Sequence, residues 1–383
     1  MSSKTTLVTA IGLAIAAISL PSQAEFFALG EESSGAAIKA KNDSDIKVRV
    51  RIQPRLDVGD LFVDAAGRTV SESDLYIRRA RLETSGKVGE PLKYKFVVHA
   101  DKANKDGTST TAHLKYALVD YKFADAASLL FGKTKLPYSR VSLTSSSKQL
   151  LVERPASTEA AKKLFGDYNQ PILMLHGKAG GMFSYAVAAG DGINEGPSTS
   201  GTTTTQRESD PYYGARVVIS PMPEEKQSDA HLGAGQHLSI GLHAGIQNGQ
   251  GNVGSSTVTD RELMGADVSF HMMGLTAQAE YNKWTVSTTG AADVEPEGMY
   301  VQLGYFIPGV NIEPAVRYEE FDHNSNASNR KDKITTAGFN YYLKGHSAKL
   351  GLNYVNTKLG SGNYTAGGDD TRDVIQLQTQ LYF

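Results

Sequence analysis

The chain has 383 residues, no cysteine and a formal net charge of -2 at pH 7. The charge balance does not suggest a nucleic-acid partner, and the lack of cysteine excludes disulfides, thiolate metal sites and c-type haem attachment. With 40% hydrophobic and 21% charged residues, the composition also excludes a disordered chain and a bundle of membrane-spanning helices.

The N-terminus has the features of a secretory signal peptide. Lys4 precedes a mostly apolar run from Leu7 to Leu20, and small residues follow up to Ala24. That run is short for a helix that spans a membrane, so an uncleaved anchor is the weaker alternative. We expect cleavage after Ala24, which removes residues 1–24 and leaves residues 25–45 as an N-terminal periplasmic segment.

The first predicted strand carries charge on one face only. In the stretch VRVRIQPR, residues 48–55, arginines alternate with apolar residues. Side chains alternate between the two faces of a strand. The arginines could therefore face water in an ordinary sheet, or line a wet lumen in a barrel whose other face meets lipid. The arginines on this face are Arg49, Arg51 and Arg55.

Beyond this stretch the chain falls into segments of about ten residues with alternating polarity, separated by short turns and long polar loops in turn, which is typical of outer-membrane barrels. One connection in the short series, 222–236, is long and breaks the rule. The predicted strands are 47–56, 75–85, 91–101, 113–123, 128–136, 171–177, 180–190, 212–220, 236–247, 261–271, 275–286, 298–307, 311–321, 333–344, 348–358 and 372–383.

These patterns predict an all-β fold, a transmembrane antiparallel β-barrel over residues 46–383. Sixteen strands are expected, with fourteen or eighteen as alternatives. Lipid offers no hydrogen-bond partner, so a sheet within it must close on itself. A soluble β-sandwich or β-helix would have shorter strands and no such alternation of connections. The 18 tyrosines against one tryptophan and the terminal Phe383 also fit a barrel.

Four segments, 77–101, 131–155, 314–322 and 338–355, resemble the phosphate-selective porin O and P family of outer-membrane channels. The resemblance implies a trimeric barrel of sixteen strands whose third external loop folds inward as a constriction loop. Here that loop would be about 137–170. Within it, residues 157–166 have helical character, with Ala160, Ala161 and Leu164 on one face.

The resemblance also implies anion selectivity from arginines on the wall and lysines near the constriction. For each single arginine, a salt bridge that only holds the wall is an equal alternative. Acidic residues, Glu83 and Glu153 among them, would cancel part of the positive charge. The candidate pore-lining residues are Arg49, Arg51, Arg55, Arg79, Arg81, Lys93, Lys95, Lys133 and Lys135. The candidates in the constriction loop are Lys148, Glu153, Arg154, Lys162 and Lys163.

Arg78 does not fit the alternation, which would turn it toward lipid. An arginine at the bilayer midplane costs about 2–4 kcal/mol. We therefore expect Arg78 near a rim, at a subunit interface or beside a β-bulge.

The predicted function is that of an outer-membrane porin for small hydrophilic solutes, preferring anions such as phosphate or other oxyanions. Its expected partners are outer-membrane lipid, lipopolysaccharide, small anions and two further copies in a homotrimer, and no cofactor or metal is expected. A barrel that docks or sheathes another protein is an alternative. An outer-membrane hydrolase is a further one, although no GxSxG motif occurs.

Overall fold

The computed structural model of the protein describes residues 36–39, 44–193, 198–200, 203–223 and 227–383. The predicted signal peptide, 1–24, lies outside the described residues. Sixteen barrel strands occur at the predicted places in the described part. They are β1 Asp45–Val63, β2 Thr69–Val88, β3 Leu92–His99, β4 His113–Ala124, β5 Ala127–Lys135, β6 Asn169–Ala179, β7 Phe183–Gly190, β8 Tyr212–Met222, β9 His237–Asn252, β10 Val258–Met272, β11 Leu275–Thr288, β12 Glu297–Tyr305, β13 Ile312–Asp322, β14 Lys331–Lys344, β15 Ala348–Lys358 and β16 Thr371–Tyr382.

The sheet is antiparallel and closes on itself, which confirms the predicted barrel. Each strand pairs with the next along the chain, and the last strand, β16, pairs with β1 from Arg51 to Gly59. The backbone N–H of Val50 donates to the carbonyl of Phe383 at 2.7 Å, so the end of the chain seals the seam. None of these sixteen strands is left with an open edge in the wall, as lipid requires.

A short hairpin extends the seam beyond the chain end. Strand β1 begins several residues before the point where Phe383 meets it, and Ala36–Lys39 pairs with Asp45–Val48 there. The predicted periplasmic segment, 25–45, is therefore partly strand. Its residues 25–35 and 40–43 lie outside the described residues.

The two faces of the wall differ as the sequence pattern predicts. Large apolar side chains such as Leu82, Phe96 and Phe131 are exposed on the outer face. On β1, Arg51 and Arg55 are buried on the opposite face. The cationic face of the first strand is thus the inner one, with the apolar face toward the membrane.

The two rims differ less in loop length than the sequence suggested. At the short-turn rim, connections such as 125–126 and 273–274 have two residues, and the long exception runs from 223 to 236. At the opposite, long-loop rim, the expected loop 248–260 is mostly strand, since β9 reaches Asn252 and β10 begins at Val258. The hairpins continue past the wall because pairing satisfies their backbone groups.

The described helices are short. Two α-helices, α1 Arg140–Leu143 and α2 Ala156–Ala161, lie in the connection between β5 and β6. The second covers the first part of the predicted helical stretch, 157–166, and ends at Ala161, so Leu164 lies on the turn that follows. Ala161 and Leu164 are buried, and Ala160 is half-buried. Within the described ranges, no helix has the length and apolarity needed to cross a membrane.

Candidate solute pathway

The connection between β5 and β6, residues 136–168, is here called the inner segment. It contacts wall strands that lie far apart around the barrel. On β1, the Arg51 guanidinium donates to the Ser146 hydroxyl at 2.8 Å. On β14, the Asn340 amide donates to the carbonyl of Leu150 at 2.6 Å. Arg51 and Asn340 both lie on the inner face of the wall, so these contacts place the inner segment inside the barrel.

Two wall glycines make room for the inner segment on β12. A Cβ atom at Gly304 would lie 2.6 Å from a methyl carbon of Leu150, and one at Gly298 would overlap the Cβ of Ser157. Carbon atoms do not tolerate such close contacts without movement. The absence of side chains at these positions therefore allows the segment to lie close to the backbone of β12.

A polar network on β8 to β11 holds the segment on another side. Arg216 and Asp267 form a bidentate pair at 2.6 and 2.8 Å, and the His243 ring links Arg216 to Asn282. The Asn282 amide donates to Glu280, which also accepts from the Ser139 hydroxyl at 2.7 Å. Because buried charges need partners, this network fixes both the wall and the start of α1.

The long connection at the short-turn rim, 223–236, also reaches the inner segment. Backbone N–H groups of Asp229 and Ala230 each donate to the carbonyl of Lys148 at 3.1 Å. The Arg140 guanidinium donates to the carbonyl of Ser228 at 3.0 Å. This contact explains why one connection of the short series is long: its described part, 227–236, supports the segment from the short-turn side.

A cavity of about 360 Å³ lies between the inner segment and strands β1 to β6. Its charge is strongly positive, since ten cationic side chains but only three carboxylates line it. The cations are Arg51, Arg78, Arg79, Arg81, Lys95, Lys102, Lys115, Lys135, Arg154 and Lys162, and the carboxylates are Glu83, Asp101 and Glu159.

A second cavity, of about 810 Å³, adjoins the first. Both are lined by Lys135 and Leu143, so these two side chains mark the boundary between them. The second cavity extends toward the short-turn rim and has mixed charge, with Lys93 and Arg216 but also Asp120 and Asp125 on its walls. Together the two cavities form a route along the β1–β8 side of the lumen, with charged side chains on both parts of it.

A β-bulge explains the position of Arg78. The pairing of β1 with β2 matches Gln53 with Arg79 and Pro54 with Ile77, which leaves Arg78 as the extra residue. A bulge re-aims a side chain, and Arg78 turns inward to the carboxylate of Glu153. Of the expected positions, the one beside a bulge is confirmed.

A second bulge acts on Lys115 in the same way. Val97 pairs with Tyr116 and Val98 with Leu114, so Lys115 is the extra residue of β4, and its side chain lines the first cavity. Strict alternation could not have predicted this, because a single inserted residue reverses the facing of the rest of the strand.

Each inner-wall arginine around the first cavity has a carboxylate partner. Arg51 lies 2.9 Å from Glu83, and the Arg81 guanidinium donates to Asp101 at 3.1 Å. Arg79 lies 3.6 Å from Glu153. The alternative role considered for single arginines, an ion pair that holds the wall, therefore describes part of what these side chains do.

Glu153 lies at the centre of a cluster of ion pairs with three arginines. Its carboxylate contacts the guanidinium groups of Arg55, Arg78 and Arg79. Burial by itself would raise the pKa of Glu153, but these three positive charges outweigh burial and hold the pKa well below its usual range. Glu153 is thus a charged residue that ties the inner segment to β1 and β2.

Three cavity lysines differ from the arginines. Among the described residues, Lys95, Lys102 and Lys115 have no carboxylate oxygen within 4.0 Å. The Lys95 ammonium lies over the Tyr116 ring, 4.6 Å from its centroid. These ammonium groups keep hydrogen-bond donors for a solute, whereas the arginine donors are largely used.

The remaining predicted residues are spread more widely. Lys135 donates to the carbonyls of Ser142 and Leu143, each at 2.7 Å, and so caps the end of α1. Lys133 follows the outward-facing Phe131, pairs with Asp167 at 3.2 Å and lines neither cavity. Lys135, two residues further along β5, lines both cavities, so of these two predicted lysines only Lys135 borders the route.

Four more candidates also lie outside the first cavity. Arg49 reaches the Tyr382 hydroxyl at 3.5 Å, and Arg55 pairs with Asp57 at 2.6 Å. Lys148 contacts the 223–236 connection through its carbonyl, and Lys163 lies on the turn after α2. The cavity instead includes Arg78, Lys102 and Lys115, which sequence reasoning missed; for Arg78, the misfit with alternation was a usable signal.

A closed barrel of sixteen strands, with an apolar outer face and a polar inner route, defines the class of outer-membrane porins. Within that class, residues 48–383 match the model of the family described as phosphate-selective porin O and P. The chain belongs to this family.

The chain is also similar to individual known proteins. An uncharacterised protein of Aquifex aeolicus (strain VF5) is 37% identical over 92% of this chain and 91% of its own length. The anion-selective porin of Comamonas acidovorans has a similar fold, with a TM-score of 0.61 at 14% identity, over 89% of this chain and 100% of that one. The outer membrane channel DcaP of Acinetobacter baumannii also has a TM-score of 0.61, at 17% identity over 91% of this chain and 100% of its own.

Family and fold together make the protein an outer-membrane channel protein.

Proposed function

We propose that the protein is a passive, non-enzymatic channel that prefers small anions, oxyanions such as phosphate among them. The observation that carries the proposal is the first cavity, with ten cationic side chains against three carboxylates. The Comamonas porin of similar fold is described as anion-selective, which supports the same preference. We further propose export through a cleaved signal peptide, contact with lipopolysaccharide and assembly as a homotrimer.

In this proposal the unpaired lysines attract the solute and the paired arginines shape the cavity. Positive charge in a narrow lumen raises the local concentration of anions and lowers that of cations. Two unit charges 4 Å apart interact by about 1 kcal/mol in water and about 4 kcal/mol at an effective dielectric constant of 20. Lys95, Lys102 and Lys115 can thus select anions strongly and still release them.

The alternative of a barrel that sheathes another protein is less well supported. A sheath needs a wide lumen, whereas the inner segment contacts β1, β11 and β14 and so crosses the space that a partner would fill. The hydrolase alternative gains no support from the cavity, where cations predominate.

Reversal potentials in planar bilayers test the proposal. We expect the wild type to prefer chloride over potassium, and Lys95→Gln with Lys115→Gln to reduce that preference severalfold, because both remove cavity charges without a carboxylate partner. The matched control is Lys333→Gln with Lys358→Gln, an exposed pair on β14 and β15 that lines neither cavity.

A wild type that prefers cations would refute the proposal. If the two double variants behave alike, the cavity lysines do not select the solute. Adding phosphate to the bath then tests the finer claim: block of the chloride current at millimolar concentration supports oxyanion binding, and indifference leaves a general anion channel.

A further inference from the structure

We infer that Glu153 is a tethered competitor of the permeating anion: its carboxylate occupies an oxyanion site made by Arg55, Arg78 and Arg79, and so weakens the hold of the first cavity on solutes. This inference rests on the proposed anion preference. Beyond that preference, the inference gives Glu153 a role of its own: its negative charge sets how tightly the first cavity binds a permeating anion.

The geometry is that of a bound anion. One carboxylate oxygen of Glu153 contacts both Arg55 and the Nε of Arg78, while the other lies 3.0 Å from Arg78 and 3.6 Å from Arg79. Planar guanidinium groups that meet a carboxylate in this way bind phosphate or sulfate by the same donors. The arrangement would therefore hold a free oxyanion if the side chain of Glu153 were not there.

The occupied arginines are shared with the cavity. Arg78 and Arg79 line it, whereas Arg55 and Glu153 do not. Arg55 also has a second carboxylate partner, Asp57, at 2.6 Å. Loss of the Glu153 charge would therefore leave Arg55 paired and free the two guanidinium groups that border the cavity.

The backbone at residue 153 is held independently of the carboxylate. The Arg317 guanidinium donates to the carbonyl of Glu153 at 2.9 Å. The next residue, Arg154, donates to the carbonyls of Val141 and Thr144, each at 2.8 Å. A neutral side chain of the same shape at position 153 should therefore keep its place in the inner segment.

A competitor of this kind suits a channel. Conduction needs binding that is strong enough for entry and weak enough for exit. Two additional free guanidinium groups would favour entry but slow the exit of multivalent anions most, since each of these can meet several donors at once. Glu153 keeps those groups engaged and shortens the time that such an anion stays.

The experiment is block of the chloride current by inorganic sulfate in planar bilayers. In Glu153→Gln, we expect the half-blocking sulfate concentration to fall by about tenfold, the factor that corresponds to 1.4 kcal/mol. The matched control is Asp64→Asn, which also removes a carboxylate paired with an arginine, Arg68, but lies in the connection between β1 and β2 and lines neither cavity. That control should leave the block near the wild-type value.

A second variant leaves Glu153 in place and covers the case in which Glu153→Gln does not assemble. Arg78→Gln removes a guanidinium that is already occupied, so it should weaken sulfate block less than Lys115→Gln does. An equal or larger loss in Arg78→Gln, or an unchanged block in Glu153→Gln, would overturn the inference. A wild type without anion preference would instead refute the proposed function, so the two failures are distinguishable.

Discussion

Two sides of the lumen hold the same inner segment by different means. On the arginine-bearing wall, β1 and β2, charged side chains reach across a gap to Glu153 and Ser146. On the glycine-bearing wall, β12, Leu150 and Ser157 lie directly against Gly304 and Gly298. The solute cavity lies on the first side, because long side chains meet the segment there only at their charged ends, whereas bare backbone permits close packing.

The contrast can be measured with one reporter on each side. The chain has no cysteine, so a single introduced one can be labelled with a thiol reagent. Ser146→Cys reports on the arginine-bearing wall, where Ser146 bonds Arg51 and Arg81. Ser157→Cys reports on the glycine-bearing wall, since Ser157 is 1% exposed opposite Gly298.

The largest effect is expected from charge reversal on the arginine-bearing wall. Arg78→Glu with Arg79→Glu would place two new carboxylates beside Glu153, with a repulsion of about 4 kcal/mol for each pair 4 Å apart at an effective dielectric constant of 20. Labelling at Ser146→Cys should become much faster, while labelling at Ser157→Cys stays slow.

The control for this charge reversal is Arg68→Glu with Arg330→Glu, two exposed residues at the long-loop rim. It should change neither reporter. Equal acceleration of both reporters in the test variant would show that the segment moves as one body and that the two walls do not hold it separately.

A smaller effect is expected from Gly304→Val, on the opposite wall. The new side chain would overlap Leu150, and overpacking of this kind costs about 1–3 kcal/mol. The segment should shift toward the arginines, so that Ser157→Cys labels faster and the single-channel conductance falls.

Ala279→Val is the matched control for Gly304→Val. Ala279 pairs with Val268 and Val301, which are exposed on the outer face, so the added methyl groups point away from the lumen. A fall in conductance in this control as large as in Gly304→Val would assign the effect to the barrel wall as a whole.

The smallest effect concerns pH. Burial, helped by the nearby charge of Arg154, lowers the pKa of Lys162 to about 8. Lys162 is therefore mostly protonated at pH 7 and loses its charge as the pH rises through about 8. Anion preference should fall modestly over this range, and the fall should be smaller in Lys162→Gln; identical pH profiles would exclude Lys162 as the titrating group.

Prediction from sequence was most accurate where a simple rule applies along the whole strand. The predicted strands, their order and the facing of Arg51, Arg55 and Arg79 are as expected, because lipid and water impose one strict alternation on every barrel strand. It was least accurate at insertions. Arg78 and Lys115 enter the lumen through bulges in otherwise regular strands.

By itself, then, the sequence determined a closed barrel with a polar, arginine-bearing inner face. The alternation of polar and apolar side chains along the strands is enough for this, whatever the details of side-chain packing. Only the tertiary structure decided which cations surround the cavity, which carboxylates neutralise them and where the inner segment rests. The reason is physical: these outcomes depend on contacts such as those of Glu153 with Arg55 and Arg78, between residues distant in the chain, and on single-residue bulges that no local pattern reveals.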